Sequence, residues 1–170
     1  MQMSESILQE NFEILRKQPV FERVPFHAIK LYALMAQRIV YQAGETIFSQ
    51  GQTNDRAYLI LAGRVQLYME HRKNRYDLQV LEVNRFFGYM ALLADLEARL
   101  GARAIERTEL LTIDRASFRK LWVQHPEVCM DIVEKMIQNR MQMMHLHMQR
   151  LLDATSNRDE IMRLGKGMGL

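Results

Sequence analysis

The side chains with coordinating or reactive chemistry are concentrated towards the end of this 170-residue chain. Six of its 13 methionines, Met130, Met136, Met141, Met143, Met144 and Met148, fall in one short stretch, with His145 and His147 among them and Cys129 just ahead. Thioethers joined by imidazoles suit a soft metal such as copper, or haem iron. Two residues apart on a helix do not share a face, however, so His145 and His147 diverge, and Cys129 lies too far along to join them. No metal and no resident cofactor are expected. Serines and carboxylates are scattered, without a nucleophile–base–acid constellation, so an enzyme is not expected either. Gly165-Lys166-Gly167 lacks the spacing of a phosphate-cradling loop and has no helix after it.

The methionines make better sense as packing surface. Met130, Glu134, Ile137, Met141, Met144, Met148 and Leu151 follow alternating spacings of three and four, apolar at six of seven positions. That is the pattern of a seam between two helices. Met136, Met143, Leu146 and Leu152 add apolar surface outside it, more than one small domain is expected to cover. A homodimer is the expected result. Methionine makes such a seam adaptable.

Other elements must position this helix. Leu8, Phe12 and Leu15 recur at helical spacing until Pro19, and Pro25 opens a second helix carrying Phe26, Ile29, Leu31 and Leu34. From Ile39 the period changes to two. Short strands are expected at 39–41 and 46–48, a polar loop from Ser49 to Asp55, and an apolar run from Ala57 to Ala62 broken by Gly63. Val65, Leu67 and Met69 alternate with polar residues up to a hairpin tip at His71–Arg75. Leu78 and Val80 resume the alternation, and a phase shift at Leu81 and Val83 suggests a bulge. A strand pair is expected between Ala102 and Ile113. Asp114 can cap a helix bearing Phe118, Leu121 and Trp122, and Pro126 can open the long helix, which runs to about Asp153. Short strands at this spacing indicate a small antiparallel barrel or roll.

Composition removes other classes. With 48% apolar and 25% charged residues, the chain is not disordered. A lone cysteine excludes a disulfide scaffold. A net charge of +3 is too small to imply nucleic acid. No stretch is apolar for long enough to span a membrane, and the first residues do not form a signal peptide. One unpaired thiol and no targeting signal fit the cytoplasm.

The order of turns carries a further signal. Gly44-Glu45-Thr46-Ile47-Phe48, Gln50-Gly51, then Asp55, Tyr58, Ile60, Gly63 and Val65 form one spaced pattern. At these residues the chain resembles the cyclic-nucleotide-binding domain superfamily, in particular the sensor half of catabolite-activator/FNR-type regulators, from about Phe21 to Asp153. The resemblance implies an α+β, mainly β fold: an antiparallel β-roll of double-stranded β-helix or jelly-roll kind. It would be flanked by N-terminal helices and a long C-terminal dimerisation helix. It divides the chain into an N-terminal helical segment (1–38), a roll (39–122), a dimerisation helix (123–153) and a flexible tail (154–170).

The resemblance also implies a phosphate-binding cassette, read as Phe-Gly-Glu-apolar-Ala-Leu with a later Arg and a small residue. Its helix offers N–H groups to the anion, its Arg a bidentate contact and its Glu an acceptor for the ribose hydroxyl. Here it is Phe87-Gly88-Tyr89-Met90-Ala91-Leu92-Leu93, with Arg99-Leu100-Gly101-Ala102 downstream. Gly88, Ala91 and Leu92 match the pattern, Met90 stands among the expected ligand-binding residues, and Arg99 falls eleven residues after Gly88. Tyr89 replaces the carboxylate, and Leu100 the small residue. An alternative register puts Ala98 at the Arg position, and Arg99 could instead be a surface cation paired with Glu97 or Asp95. Base-reading positions on the long helix fall near Met143 and Met144, or Gln142 one residue earlier, and thioethers cannot read a purine edge. The expected ligand is a cyclic nucleotide or a related, more apolar small molecule. The alternative is a degenerate domain, its pocket filled by Tyr89 and Met side chains, that only docks proteins.

Family transcription factors place a helix-turn-helix domain after the long helix, and the residues beyond Asp153 are too few for one. Asp153-Ala154-Thr155 resembles the hinge where it would begin, so a transcription-factor sensor fragment missing its DNA-binding domain is a further alternative. The expectation is a homodimeric sensor with a protein partner, no DNA contact of its own and no membrane association.

Overall fold

The structure, a computed structural model, describes residues 2–22 and 24–154. Two helices open the chain, α1 (Gln2–Leu15) and α2 (Phe26–Met35), separated by a 3-10 turn at Pro19–Phe21. Ten strands follow: β1 (Gln37–Tyr41), β2 (Thr46–Phe48), β3 (Thr53–Asn54), β4 (Arg56–Ala62), β5 (Val65–His71), β6 (Asn74–Leu81), β7 (Phe86–Phe87), β8 (Leu96–Glu97), β9 (Gly101–Ala104) and β10 (Thr108–Asp114). A one-turn helix, α3 (Met90–Leu93), stands between β7 and β8. Helices α4 (Arg115–Gln124) and α5 (Pro126–Ala154) close the described chain. The division between two compact units falls inside α5, after Ile132.

The strands form two four-stranded antiparallel sheets, ordered β1-β10-β4-β7 and β2-β9-β5-β6, with β3 and β8 paired apart. Tyr58, Ile60, Val65, Leu81, Phe87, Ala102 and Leu110 form the buried core of the roll, and Tyr41, Ile47, Phe48 and Leu67 pack against it. The other face of the first sheet turns Leu59 and Ile113 towards Leu15, Phe21 and Tyr32 of the helical layer, around a cavity of about 20 Å³. Arg38 in β1 ties α1 down, donating to Asn11 Oδ1 at 2.9 Å and to Glu10 at 3.0 Å. Tyr32 of α2 meets the buried Cys129 at 3.4 Å. Burial pushes both groups up in pKa, so the thiol stays protonated and inert.

Four expectations need correction. The predicted strand pair between Ala102 and Ile113 exists as two strands, but β9 pairs with β2 and β5 while β10 pairs with β1 and β4. The bulge lies earlier than expected: Leu67 faces Gln79 and Tyr68 faces Asp77, so Leu78 is the extra residue. The polar loop before Asp55 contains β3, too short for a hydrophobic pattern to reveal. Helix α2 buries Ala28, Ile29, Tyr32 and Ala33, leaving Phe26 and Leu34 each 67% exposed.

The capping expectation is met. The Asp114 carboxylate accepts from the Ser117 N–H at 2.7 Å and opens α4. Those backbone donors hold its carboxyl below the usual aspartate range. Its contribution is therefore present above the unfolded-state pKa and lost as pH falls through the lower folded value. Asp114→Ala is expected to cost about 1 kcal/mol at neutral pH. In urea titrations across the acid range, that gap from the parent should narrow as pH falls.

Candidate functional site

A glycine with φ of +73° joins β7 to the short helix α3. A Cβ on Gly88 would lie 3.0 Å from the Arg56 carbonyl oxygen and 3.0 Å from the Tyr58 ring, so backbone and space both select glycine. The Asn54 amide secures this floor: it donates to the Arg56 carbonyl at 2.7 Å and accepts from the Tyr58 hydroxyl at 3.1 Å. Tyr58 stacks on Phe87 at 5.1 Å, and Phe48 packs 5.7 Å from the Tyr58 ring and 6.2 Å from Phe87. This aromatic trio fills the roll beneath the glycine.

Helix α3 is a single turn, too short to satisfy its own carbonyls. Arg115, the first residue of α4, supplies one donor from outside and ties the turn to β3. Its Nε donates to the Ala91 carbonyl at 2.5 Å and its Nη2 to the Asn54 carbonyl at 2.9 Å. Nη1 pairs with Asp95 at 3.3 Å, and its backbone N–H reaches the Asp55 carbonyl at 2.7 Å. The sequence reading missed Arg115. One signal for it exists: a cation in the first turn of a helix opposes the helix dipole, so its side chain must be engaged elsewhere.

Arg99 and Leu100 form an arch between two fixed points. Before them, β8 pairs with β3, and Gly51 and Gln52 exchange backbone bonds with Ala98 at 2.8 and 2.9 Å. After them, Gly101 lies under Tyr68, where a Cβ would collide with the phenol ring. The Arg75 guanidinium stacks 3.5 Å from the same ring, and Asp77 links Arg75 and Arg103 at 3.6 and 3.0 Å. Arg99 is exposed and Leu100 half-buried. Among the described residues no ion pair is found for Arg99, with Asp95 or with Glu97; Asp95 pairs with Arg115.

The expected cassette residues thus share one support, the segment 51–58. Gly88 rests on it, Ala91 is held to it through Arg115, and the chain leading to Arg99 pairs with it. Met90 is half-buried and Ala91 buried. Tyr89 stacks parallel on Phe86, 5.8 Å between ring centres and 5° between planes. Phe86 lines the cavity on the helical side of the sheet, whereas Phe87 belongs to the roll core. Met143 and Met144 lie on α5 in the second compact unit, half-buried and 42% exposed. Of the expected seam, Met130, Ile137 and Met141 are 50%, 48% and 55% exposed and Met148 is half-buried. The Leu151 side chain and the expected tail beyond Ala154, with Thr155 and the Gly165–Gly169 segment, lie outside the described residues. Among the described residues, no three His, Cys, Asp or Glu side chains gather as metal ligands, and no helix is long and apolar enough to cross a membrane.

Residues 38–125 match the cyclic nucleotide-binding domain family. The chain belongs to that family. It is 32% identical over 108 residues to the cyclic AMP receptor protein of Thermus thermophilus, covering 63% of this chain and 50% of the relative. It is 25% identical over 117 residues to a CRP-like cAMP-activated global transcriptional regulator of Mycobacterium tuberculosis, covering 68% and 52%. The chain therefore spans about half the length of these relatives. Among solved structures, the Thermus thermophilus catabolite activator protein superposes with a TM-score of 0.68 at 28% identity, covering 79% of this chain and 63% of that one. A cyclic nucleotide-binding domain from Methylobacillus flagellatus reaches 0.77 at 16% identity, covering 91% and 88%, a likeness of fold alone. The domain has CRP-like relatives and the expected β-roll.

Replacing the Arg115 clamp should loosen the cassette selectively. Arg115→Met is expected to cost about 2 kcal/mol. Hydrogen exchange should speed up at Met90–Leu93 before it does in β4 or β10.

Proposed function

We propose that the chain is a homodimeric sensor that takes a small anion of the cyclic-nucleotide class between Gly88 and Leu100. It signals through the α5 seam to a protein partner, in the cytoplasm. The Arg99 arch carries this reading: a solvent-facing guanidinium, without an ion-pair partner among the described residues, held between two anchored segments. Such a group is free to make a bidentate phosphate contact from an anchored stretch of backbone. The names of the relatives, a cyclic AMP receptor and a cAMP-activated regulator, support the same ligand class.

Two positions favour a narrower specificity. Tyr89 brings no carboxylate to accept a ribose hydroxyl, and its ring lies against Phe86. Leu100 brings a branched apolar side chain beside the arginine. Recognition then rests on phosphate and apolar contact. The same two positions also favour a second reading, a protein-docking domain with no nucleotide. Because the Tyr89 ring stacks on Phe86, on the helical side of the sheet, that reading draws on the lost carboxylate rather than on a plugged pocket. For the dimer, Met130, Ile137, Met141, Met144, Met148 and Leu151 are the proposed contacts, and Met143 and Met144 the residues proposed to meet the ligand base.

Calorimetric titration with cAMP, cGMP and 2′-deoxy-cAMP separates the two. The sensor reading expects saturable binding that Arg99→Ala abolishes, with the deoxy analogue bound as tightly as cAMP. No heat from any of them at saturating concentration would establish the docking reading instead. Sedimentation at micromolar concentration is expected to give a dimer, and a monomer there would remove the seam.

A further inference from the structure

Two of the five histidines, far apart in sequence, stand ring to ring. His27 is the second residue of α2, and His125 is the joint between α4 and α5. Their ring centres are 6.0 Å apart, with 62° between the planes. Both lie in the first compact unit, and neither belongs to the cassette or to the α5 seam. The scaffold on each side is fixed. The His125 N–H donates to the Leu121 carbonyl at 2.7 Å and closes α4, while its carbonyl accepts from the Cys129 N–H at 3.1 Å and starts α5. Helix α2 is held against the same joint by Tyr32, whose hydroxyl meets the Cys129 sulfur at 3.4 Å and whose ring packs 6.3 Å from Phe118.

The ring nitrogens are uncommitted. Among the described residues no hydrogen bond or ion pair is found for either imidazole, only the contact of one ring with the other. His27 is exposed and His125 half-buried, so an ion from solvent can reach both. A neutral imidazole keeps one nitrogen lone pair free to bind. Two such nitrogens at about 2.0–2.1 Å from one ion set the ring centres roughly 5–6.5 Å apart for any open angle at the metal. The observed separation lies in that range. The edge-on tilt requires only that one ring turn about its Cβ–Cγ bond, a soft torsion in histidine, and His27 is the exposed partner. Imidazole suits zinc(II), copper(II) and nickel(II), whereas magnesium and calcium need oxygen ligands. Among the described residues no third His, Cys, Asp or Glu gathers with the pair, so the other positions on the ion belong to solvent.

We propose that His27 and His125 form a two-imidazole clip for a divalent transition-metal ion of the zinc(II) class, which staples the start of α2 to the α4–α5 joint. The ion is coordinated without change of oxidation state. Two of its bound waters are displaced by two ring nitrogens, and any imidazole that arrives protonated releases its proton. The clip depends neither on what the cassette binds nor on whether two chains pair.

The experiment uses the whole chain without a histidine tag, stripped by chelation, with zinc(II) chloride as the probe. Its five histidines allow every ring to be followed in carbon–proton correlation spectra. The signals of His27 and His125 are expected to move together and saturate at one ion per chain, while those of His71, His145 and His147 stay in place. Magnesium(II) at the same concentration should move none of them. By calorimetry, His27→Gln and His125→Gln should each lower zinc affinity about tenfold or more, because the chelate is lost, and His71→Gln should leave it unchanged. Both clip variants are expected to keep the parent's circular dichroism. Parent-level affinity in either clip variant would overturn the proposal. So would first saturation at His145 and His147, or no saturable binding with zinc(II) in large excess.

Discussion

Helix α3 cannot hold itself. A single turn fixes several backbone dihedrals for very few internal hydrogen bonds, so its position is set by what grips it from outside. The grip has three parts: the left-handed Gly88 on the Asn54–Tyr58 floor, the aromatic trio beneath it, and the Arg115 guanidinium on its Ala91 carbonyl. A cassette held in this way is defined by tertiary contacts rather than by its own sequence. The grips come from β2, β3, β4, β7 and the start of α4, so the roll itself sets where the cassette sits.

Arg115 also ties the cassette to the next helix. It is the residue next to the Asp114 cap, so the donor that holds α3 belongs to the first turn of α4. The Ala91 carbonyl is therefore bonded to the start of that helix, which the Asp114 cap opens through the N–H of Ser117. The carboxylate of Asp95, exposed at the far end of the cassette, completes the same guanidinium contact. Cap and clamp are adjacent residues with opposite charges, one serving the helix and the other serving its neighbour.

What the sequence made legible was local. The change of period at Ile39, the Asp114 cap, the start of α5 at Pro126 and the run from Thr46 to Phe48 all depend on residues close together in the chain. The spacing of Gly88 and Arg99 was likewise readable, because the family pattern is itself a matter of counting. Other features depend on distant partners. Strands β9 and β10 look like a hairpin and yet join different sheets, because each is captured by strands far away in sequence. The bulge was misplaced by a few residues, since Leu78 and Val80 look regular until their partners in β5 are known. Helix α2 turned Ala28 and Tyr32 inwards rather than Phe26 and Leu34, as the position of the roll demanded. The partners of Arg115 were illegible for the same reason, since its four acceptors lie in three separate segments; only its unfavourable place in a helix's first turn marked it.

Strand β7 is only two residues long, and its two phenylalanines face opposite ways. Phe87 belongs to the aromatic packing inside the roll, while Phe86 reaches the cavity beside α1 and α2 and carries the Tyr89 ring. One short stretch of backbone therefore belongs to both packing layers, so the interior of the roll and the helical side of the sheet are joined at Phe86 and Phe87.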